Sequence, residues 1–355
     1  MTSNVPERKA FKKLQYVCEN NLPVSFLGKS EQEDLSRRTA RKGSICWDAT
    51  SQIQNGMESS NSDYGKYFEE IHGILMYKVF AKHWDDVEAF QARPDDVVIS
   101  TYPKSGTTWV SEIVYMIYKE GDLEKCKEAI FDRVPYLECR DDAATMNGNA
   151  QGVKKLDEMA SPRLVKTHLS AELLPASFWE KNCKMIYLCR NAKDVAVSFY
   201  YFFLMARGHP NPGSFEEFVE RFMEGQVPYG SWYKHAKSWW EKRGNPHVLF
   251  LLYEDMKKDI RKEVMKLFQF LERKPSEELV NKIIQHTSFQ EMKNNKYTNY
   301  TILPSEVMNH QVSPFMRKGV IGDWKNHFTV ALNEKFDKHY EQQMKKCTLT
   351  FPTEI

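Results

Sequence analysis

A chain of 355 residues with 41% apolar content has ample material for one large α/β domain or two smaller ones. Its formal net charge of +2 argues against the global polybasic character of a nucleic-acid binder, but leaves room for local basic sites that hold a small anion. No apolar run approaches the ~18 residues of a membrane-spanning helix, and the N-terminal stretch lacks the apolar core of a secretory signal. The cysteines (Cys18, Cys46, Cys126, Cys139, Cys183, Cys189 and Cys347) are odd in number and scattered, with no Cys-x-x-Cys. That pattern predicts thiols in a reducing compartment rather than disulfides, and neither they nor the dispersed histidines suggest a metal site.

Residues 1–56 are polar, mixed in charge and without a sustained period, and read as a flexible extension. Acidic residues interrupt the basic cluster at Arg37-Arg38 and Arg41-Lys42, which argues against a transit peptide. Residues 64–92 are dense in aromatics, including Tyr77 and Phe80. Such spacing suits a core stripe, or the wall of an aromatic substrate pocket.

The β-branched run Val97-Val98-Ile99 leads through Thr101-Tyr102-Pro103-Lys104-Ser105-Gly106-Thr107-Thr108-Trp109 into a helical pattern, with Trp109, Val110, Ile113, Val114 and Ile117 on one face. Strand, tight loop and helix together aim free backbone N–H groups and the helix dipole at one point, a cradle for phosphate. Lys104 adds charge, Gly106 allows close backbone approach, and Thr107 and Thr108 offer hydroxyls. The order differs from the nucleoside-triphosphatase P-loop: the lysine precedes Gly106, and Thr101 stands where the first glycine belongs.

Further strands are predicted at 163–168, 184–190 and 248–253, with helical patterns from 191 and at 259–272 and 276–286. Alternating strands and helices predict an α/β fold, a central parallel sheet flanked by helices. Ligands of such sheets bind beyond the carboxyl ends of the strands. Lys104, His168, Arg190 and Tyr253 all fall at or just past predicted strand ends.

The octapeptide Tyr102 to Trp109 resembles the nucleotide-binding signature of the cytosolic sulfotransferases, and Arg317-Lys318-Gly319 with Gly322-Asp323-Trp324-Lys325 resembles their C-terminal signature. Membership implies a sulfonate donor, 3'-phosphoadenosine 5'-phosphosulfate (PAPS), and an acceptor hydroxyl, with no metal. It implies His168 as the general base, Lys104 as the group that meets the leaving oxygen, and Lys166 as a second cation near the transferring group. By the same resemblance, the donor site comprises the loop from Lys104 to Trp109, Arg190 and Ser198, Arg317-Lys318-Gly319, and Tyr253, Thr287, Ser288 and Phe289 around the adenine. The acceptor pocket would be lined by Tyr77, Phe80, Tyr136, Phe199, Phe202, Tyr229, Val307 and Met308, together with Lys166 and His168.

The stretches Tyr200 to Met205, Val227 to Trp232 and Thr353-Glu354-Ile355 resemble the estrogen branch of the family, implying the phenolic hydroxyl of a steroid as acceptor. A broader phenol or catecholamine enzyme is the alternative. Tyr136, where that branch has phenylalanine, adds a hydroxyl to the pocket rim, and Arg207 adds a charge near it. Ser170 stands where many members have proline. A nucleotide-kinase-type phosphotransferase and a catalytically silent steroid binder are rivals from other classes. The loop order and the second anion site oppose the first, and the retained His168 and Lys104 oppose the second.

The resemblance also implies that Met57 is the usual start, so that 57–355 forms a single sulfotransferase domain. The residues between Gly148 and Val153 look like a short loop insertion. Lys325 to Glu334 resembles the family's dimer motif, with opposed charges at its ends. The implied location is the cytosol, with neither nucleic acid nor membrane as partner.

Overall fold

The four predicted apolar runs pair as one parallel sheet. The structure, a computed structural model, describes residues 65–139 and 152–352. The expectations for 1–56, for most of the loop insertion and for Thr353-Glu354-Ile355 fall outside those residues. The strands are β3 (Val97–Thr101), β4 (Leu164–Thr167), β5 (Lys184–Cys189) and β6 (Val248–Leu252), in the order β4-β3-β5-β6. They follow a two-stranded antiparallel hairpin, β1 (Phe68–Ile71) and β2 (Ile74–Tyr77). The aromatic density of 64–92 concealed that hairpin from a reading by period.

Side chains alternate across the sheet, as a period of two requires. Val98, Val165, Met185 and Tyr187 enter one apolar core, whereas Val97, Ile99, Leu164, Ile186 and Leu188 enter the other. Helices cover both faces, which is why the strands read as continuous apolar runs. The helix after β3 is α1 (Thr107–Tyr118), the helix after β5 is α2 (Ala192–Met205), and the helix after β6 is α3 (Tyr253–Lys258). They are followed by α4 (Ile260–Phe270), α5 (Glu277–His286), α6 (Phe289–Asn294) and α7 (Val330–Met344). Asn191 caps α2 by accepting from Asp194 N, and Thr329 caps α7. Among the described residues, no helix is long and apolar enough to cross a membrane, and the cysteines at 126, 139, 183, 189 and 347 are unpaired with one another.

The chain runs from β3 to β4 on one side of the sheet, then to β5 and β6 on the other. This places a topological switch between β3 and β5, where open α/β sheets hold ligands. A buried ion pair fixes the entry to β3 and β4. Arg163 donates to Asp96 through Nε at 2.8 Å and Nη2 at 2.6 Å, and both residues are fully buried. Removing one partner strands the other charge out of water. Asp96→Ala is therefore expected to lower stability by roughly 3–5 kcal/mol, read as a fall in the denaturant midpoint; an unchanged midpoint would contradict this role.

Candidate active site

The loop after β3 turns on two backbone irregularities. Lys104 has φ 68°, and Gly106, the residue before α1, has φ 109°. A Cβ at Gly106 would meet Leu188 and Tyr253 at 3.1 Å, so its lack of a side chain answers both conformation and space. A non-glycine residue in the left-handed region stores strain of the kind found at functional sites. Here that strain aims the Lys104 ammonium inward, 4.3 Å from the Phe202 ring and 4.1 Å from the Phe315 ring. Burial, reinforced by Arg190 and Arg317, pushes its pKa down to about 7.

His168 sits just past β4. Its Nδ1 lies 2.8 Å from the Thr101 carbonyl oxygen, which can only accept, so Nδ1 carries the proton and Nε2 presents a lone pair. Burial is the main cause that pushes the imidazole pKa down to about 3, keeping the ring neutral through the physiological range. The neighbourhood holds the ring in place. His168 N donates to Glu138 at 2.8 Å, and the same carboxylate accepts from Thr167 at 2.8 Å and Tyr229 at 3.1 Å. His235 Nε2 donates to the His168 carbonyl at 2.9 Å and accepts at Nδ1 from Tyr187 at 2.9 Å. The Tyr136 hydroxyl lies 3.1 Å from His168 Nε2.

Arg190, just past β5, donates to the Lys104 carbonyl at 3.4 Å and to the Val320 carbonyl at 2.9 Å, and its guanidinium covers the Tyr253 ring at 4.4 Å. It thereby ties the loop to the C-terminal run. Arg317 and Lys318 each reach Asp323 at 2.6 Å. That run is anchored by Asp194 on α2, whose carboxylate accepts from Gly322 N at 2.7 Å and Trp324 N at 3.0 Å. Gly319 has φ 64°, and a Cβ there would run into the Phe289 ring.

These groups line a cavity of about 480 Å³, within the range of small-molecule sites. Lys104, Gly106, Thr107, Thr108, Trp109, Arg190, Ser198, Tyr253, Thr287, Phe289, Arg317, Lys318 and Gly319 face it, as do Tyr77, Phe80, Tyr136, His168, Phe202, Tyr229, Val307 and Met308. Four of the residues expected at the site lie apart from this lining. Ser105 is buried beneath the loop. Ser288 caps α6 by accepting from Glu291 N. Phe199 is fully buried among Tyr102, Phe203 and Phe218. Lys166 is fully buried behind Tyr136, its ammonium 4.5 Å from that ring, with a pKa pushed down to about 7, first by burial and then by Arg133. The Arg207 side chain is exposed and does not line the cavity.

The sulfotransferase domain family matches residues 94–348. The chain belongs to the sulfotransferase family. Sulfotransferase 1E1 of Homo sapiens is 77% identical over 298 residues, covering 84% of this chain and 100% of that protein. Sulfotransferase 1E1 of Mus musculus is 69% identical over 300 residues, with the same coverage of 84% and 100%. Among solved structures, a mouse sulfotransferase complexed with PAP aligns with a TM-score of 0.63 at 31% identity, over 79% of this chain and 95% of that one. Retinol dehydratase in a complex with retinol and PAP aligns with a TM-score of 0.72 at 25% identity, over 83% and 96%.

The site of this sulfotransferase carries several polar atoms suited to a ligand. Trp109 Nε1, Arg190 Nε and Arg317 Nε on the lining, and Ser105 Oγ away from it, are buried and without a hydrogen-bond partner among the described residues. Buried donors of this kind are rare and call for a partner. Three are cationic or indole donors around the loop and the C-terminal run, a donor set that fits an anionic nucleotide.

Sequence reasoning missed Glu138, Asp194, His235, Lys257, Met292 and Tyr300. Lys257, Met292 and Tyr300 line the cavity directly, and the other three act through hydrogen bonds to His168 or to the C-terminal run. Glu112, Cys126 and His286 also converge, with ligand-type atoms within 4.8 Å of one another. The two oxygens of Glu112 are taken by Arg133 at 2.7 Å, an ion pair, and by His286 Nε2 at 2.9 Å, a contact that ties α1 to α5.

Proposed function

We propose that this sulfotransferase moves sulfonate from PAPS to the phenolic hydroxyl of an estrogen-type steroid. The observation that carries the reading is the pairing, in one cavity, of a neutral His168 whose Nε2 faces the apolar side with the Lys104 ammonium in the anion cradle. The bound donor supplies an activated sulfonate on a phosphate leaving group.

His168 Nε2 takes the acceptor proton. The Thr101 carbonyl fixes its tautomer, and Glu138 and His235 hold the backbone that carries it. Lys104 lies on the loop, where charge grows on the departing phosphate oxygen, and a point charge held in a dry site stabilises that charge most at the transition state. Arg190, Ser198 and Arg317-Lys318-Gly319 hold the 3'-phosphate, with Arg317 and Lys318 drawn from Asp323. Trp109, Tyr253, Thr287 and Phe289 enclose the adenine. Tyr77, Phe80, Phe202, Tyr229, Val307 and Met308 enclose the acceptor rings, and the aromatic lining suits a rigid apolar steroid. Lys166 supports the site electrostatically from behind Tyr136.

The relatives at 77% and 69% identity support an enzyme of this type. Turnover on estradiol should exceed that on a small phenol, with the product carrying sulfate on the phenolic oxygen. Much faster transfer to the small phenol would favour the broader phenol or catecholamine alternative.

The pH dependence has a definite sign. Burial disfavours the charged form of His168, so the base stays unprotonated well below pH 6. The same effect on Lys104, with a pKa pushed down to about 7, means that its charge is lost as pH rises. Donor kcat/KM, which reports free enzyme, should therefore fall as pH climbs past about 7. Bound phosphate favours the charged lysine, so kcat at saturating donor should hold to higher pH. Coincident alkaline limbs in the two profiles would contradict this assignment.

We assign residues 57–355 to one catalytic domain in the cytosol, preceded by an extension at 1–56. We also assign a homodimer through Lys325 to Glu334. Val330, at the start of α7, is 76% exposed, the largest exposure among the large apolar residues described, and suits a small symmetric contact. Sedimentation would test the dimer, with a Val330→Glu variant expected to be monomeric.

A further inference from the structure

β5 and β6 end side by side in the parallel sheet, and their register decides which residues meet beyond it. Cys189 pairs with Leu252. One residue on, the Arg190 guanidinium covers the Tyr253 ring at 4.4 Å, and both side chains line the cavity. The next pair, Asn191 and Glu254, lies outside the lining. Glu254 is fully buried, and its Oε1 accepts from Asn191 N at 2.9 Å and from Asn191 Nδ2 at 2.7 Å. The same Nδ2 donates to Asp194 Oδ2 at 2.9 Å, while Asn191 Oδ1 accepts from Asp194 N at 2.9 Å. Asp194 in turn accepts from Gly322 N and Trp324 N. A hydrogen-bonded chain therefore runs from the end of β6 to the segment that carries Arg317, Lys318 and Gly319. Capping α2 needs only the Asn191 oxygen, so the buried carboxylate is not there for the cap. It is also costly: burial pushes its pKa up, and its Oε2 has no hydrogen-bond partner among the described residues.

We propose that Glu254 is a positioning residue for the donor's 3'-phosphate. Through Asn191 and Asp194 it holds the C-terminal run at the separation from Arg190 at which the two sides close on that phosphate. This inference rests on the reading that places the 3'-phosphate between Arg190 and Arg317-Lys318-Gly319. Glu254 touches no ligand itself. Its carboxylate fixes the Asn191 amide, the amide fixes the Asp194 carboxylate, and that carboxylate fixes two backbone N–H groups of the run. Arg190 Nη2 donates to the Val320 carbonyl at 2.9 Å, a second tie across the same gap, so loss of Glu254 loosens the run without freeing it. The chain ends at the 3' side of the nucleotide site. It makes no bond to the loop at Lys104 or to the aromatic residues proposed to enclose the adenine. Glu254 therefore sets the preference for a 3'-phosphorylated nucleotide more than affinity for nucleotides in general.

The test compares binding of PAP with that of adenosine 5'-monophosphate, which lacks the 3'-phosphate, on the full chain. Glu254→Leu removes the acceptor and should weaken PAP by roughly 2- to 13-fold, the worth of a net hydrogen bond. Affinity for adenosine 5'-monophosphate should stay unchanged, so the ratio of the two falls. The KM for PAPS should rise by the same factor while kcat at saturating donor holds. Glu254→Gln keeps an oxygen for Asn191 and should bring the ratio back to within about 2-fold of wild type. A Gln variant as impaired as the Leu variant would overturn the proposal, because charge and not the bonds would then be at work. A ratio unchanged in Glu254→Leu, or both nucleotides weakened alike, would mark a purely structural residue and also overturn it. Asn191→Ser carries the test if Glu254→Leu fails to fold: serine caps a helix as well as asparagine does but is too short to join Glu254 to Asp194, and the same fall in the ratio is expected. Arg317→Ala separates the two readings. If that variant keeps the wild-type ratio, the placement of the 3'-phosphate fails. If it lowers the ratio while Glu254→Leu and Asn191→Ser do not, only the positioning inference fails.

Discussion

Replacing His168 with alanine is expected to lower kcat by about 10²–10⁴, the usual contribution of a positioned general base, while binding of PAP stays close to wild type. The separation follows from the geometry. His168 is held from β3 through the Thr101 carbonyl and from within through Glu138 and His235. None of these contacts is made by Lys104, Arg190 or Arg317, and the one link to the loop is the Thr101 hydroxyl, 3.2 Å from His168 Nδ1 and 2.6 Å from the Thr107 hydroxyl. The variant removes a neutral ring from a buried place, so no charge is stranded. The Tyr136 hydroxyl loses its acceptor, and part of the loss can appear as an altered acceptor KM. Single-turnover transfer with donor prebound isolates the chemical step. Near-normal transfer in that experiment would remove His168 from the mechanism.

Lys104→Met should lower kcat by about 10²–10³, a magnitude typical of losing one preorganised stabiliser of developing charge. Its effect on donor affinity should be smaller, set by the factor with which bound phosphate favours the charged lysine. Burial first, and then the field of Arg190 and Arg317, opposes the Lys104 charge and pushes its pKa down to about 7. Taking that charge away also relieves repulsion on Arg190 and Arg317, which offsets part of the attraction lost. Methionine keeps the apolar stem as far as Cε and removes the ammonium, and with it the cation contact to the Phe202 and Phe315 rings. A loss confined to donor KM would instead mark Lys104 as a ground-state anchor.

Much of this site is legible in the sequence because it lies at strand ends. Lys104, His168, Arg190 and Tyr253 could be placed near one another once the four apolar runs were taken as parallel strands, and β3 to β6 pair in that way. The supporting residues were not legible for a physical reason. Glu138 reaches His168 across 30 positions, and Asp194 reaches Gly322 across 128. Nothing in the local pattern distinguishes a buried carboxylate that accepts backbone N–H groups from a solvated one.

Aromatic residues pose the same problem within one helix. On α2, Ser198 and Phe202 are four apart and face the cavity, whereas Phe199 and Phe203 are four apart and face the core. Phenylalanine occurs on both faces, and only the packing of α2 against its neighbours decides which one meets a ligand. Lys166 shows the converse. The resemblance implies a cation near the transferring group, but at 0% exposure Lys166 lies behind Tyr136 and outside the cavity lining.

The most direct measurement of the central claim is the fate of label from [³⁵S]PAPS incubated with the full chain and estradiol. The expected result is radiolabelled sulfate on the phenolic oxygen, one PAP formed for each steroid sulfonated, and loss of that transfer in His168→Ala with PAP binding retained. Label that remains in the donor while PAPS and estradiol are both bound would contradict it.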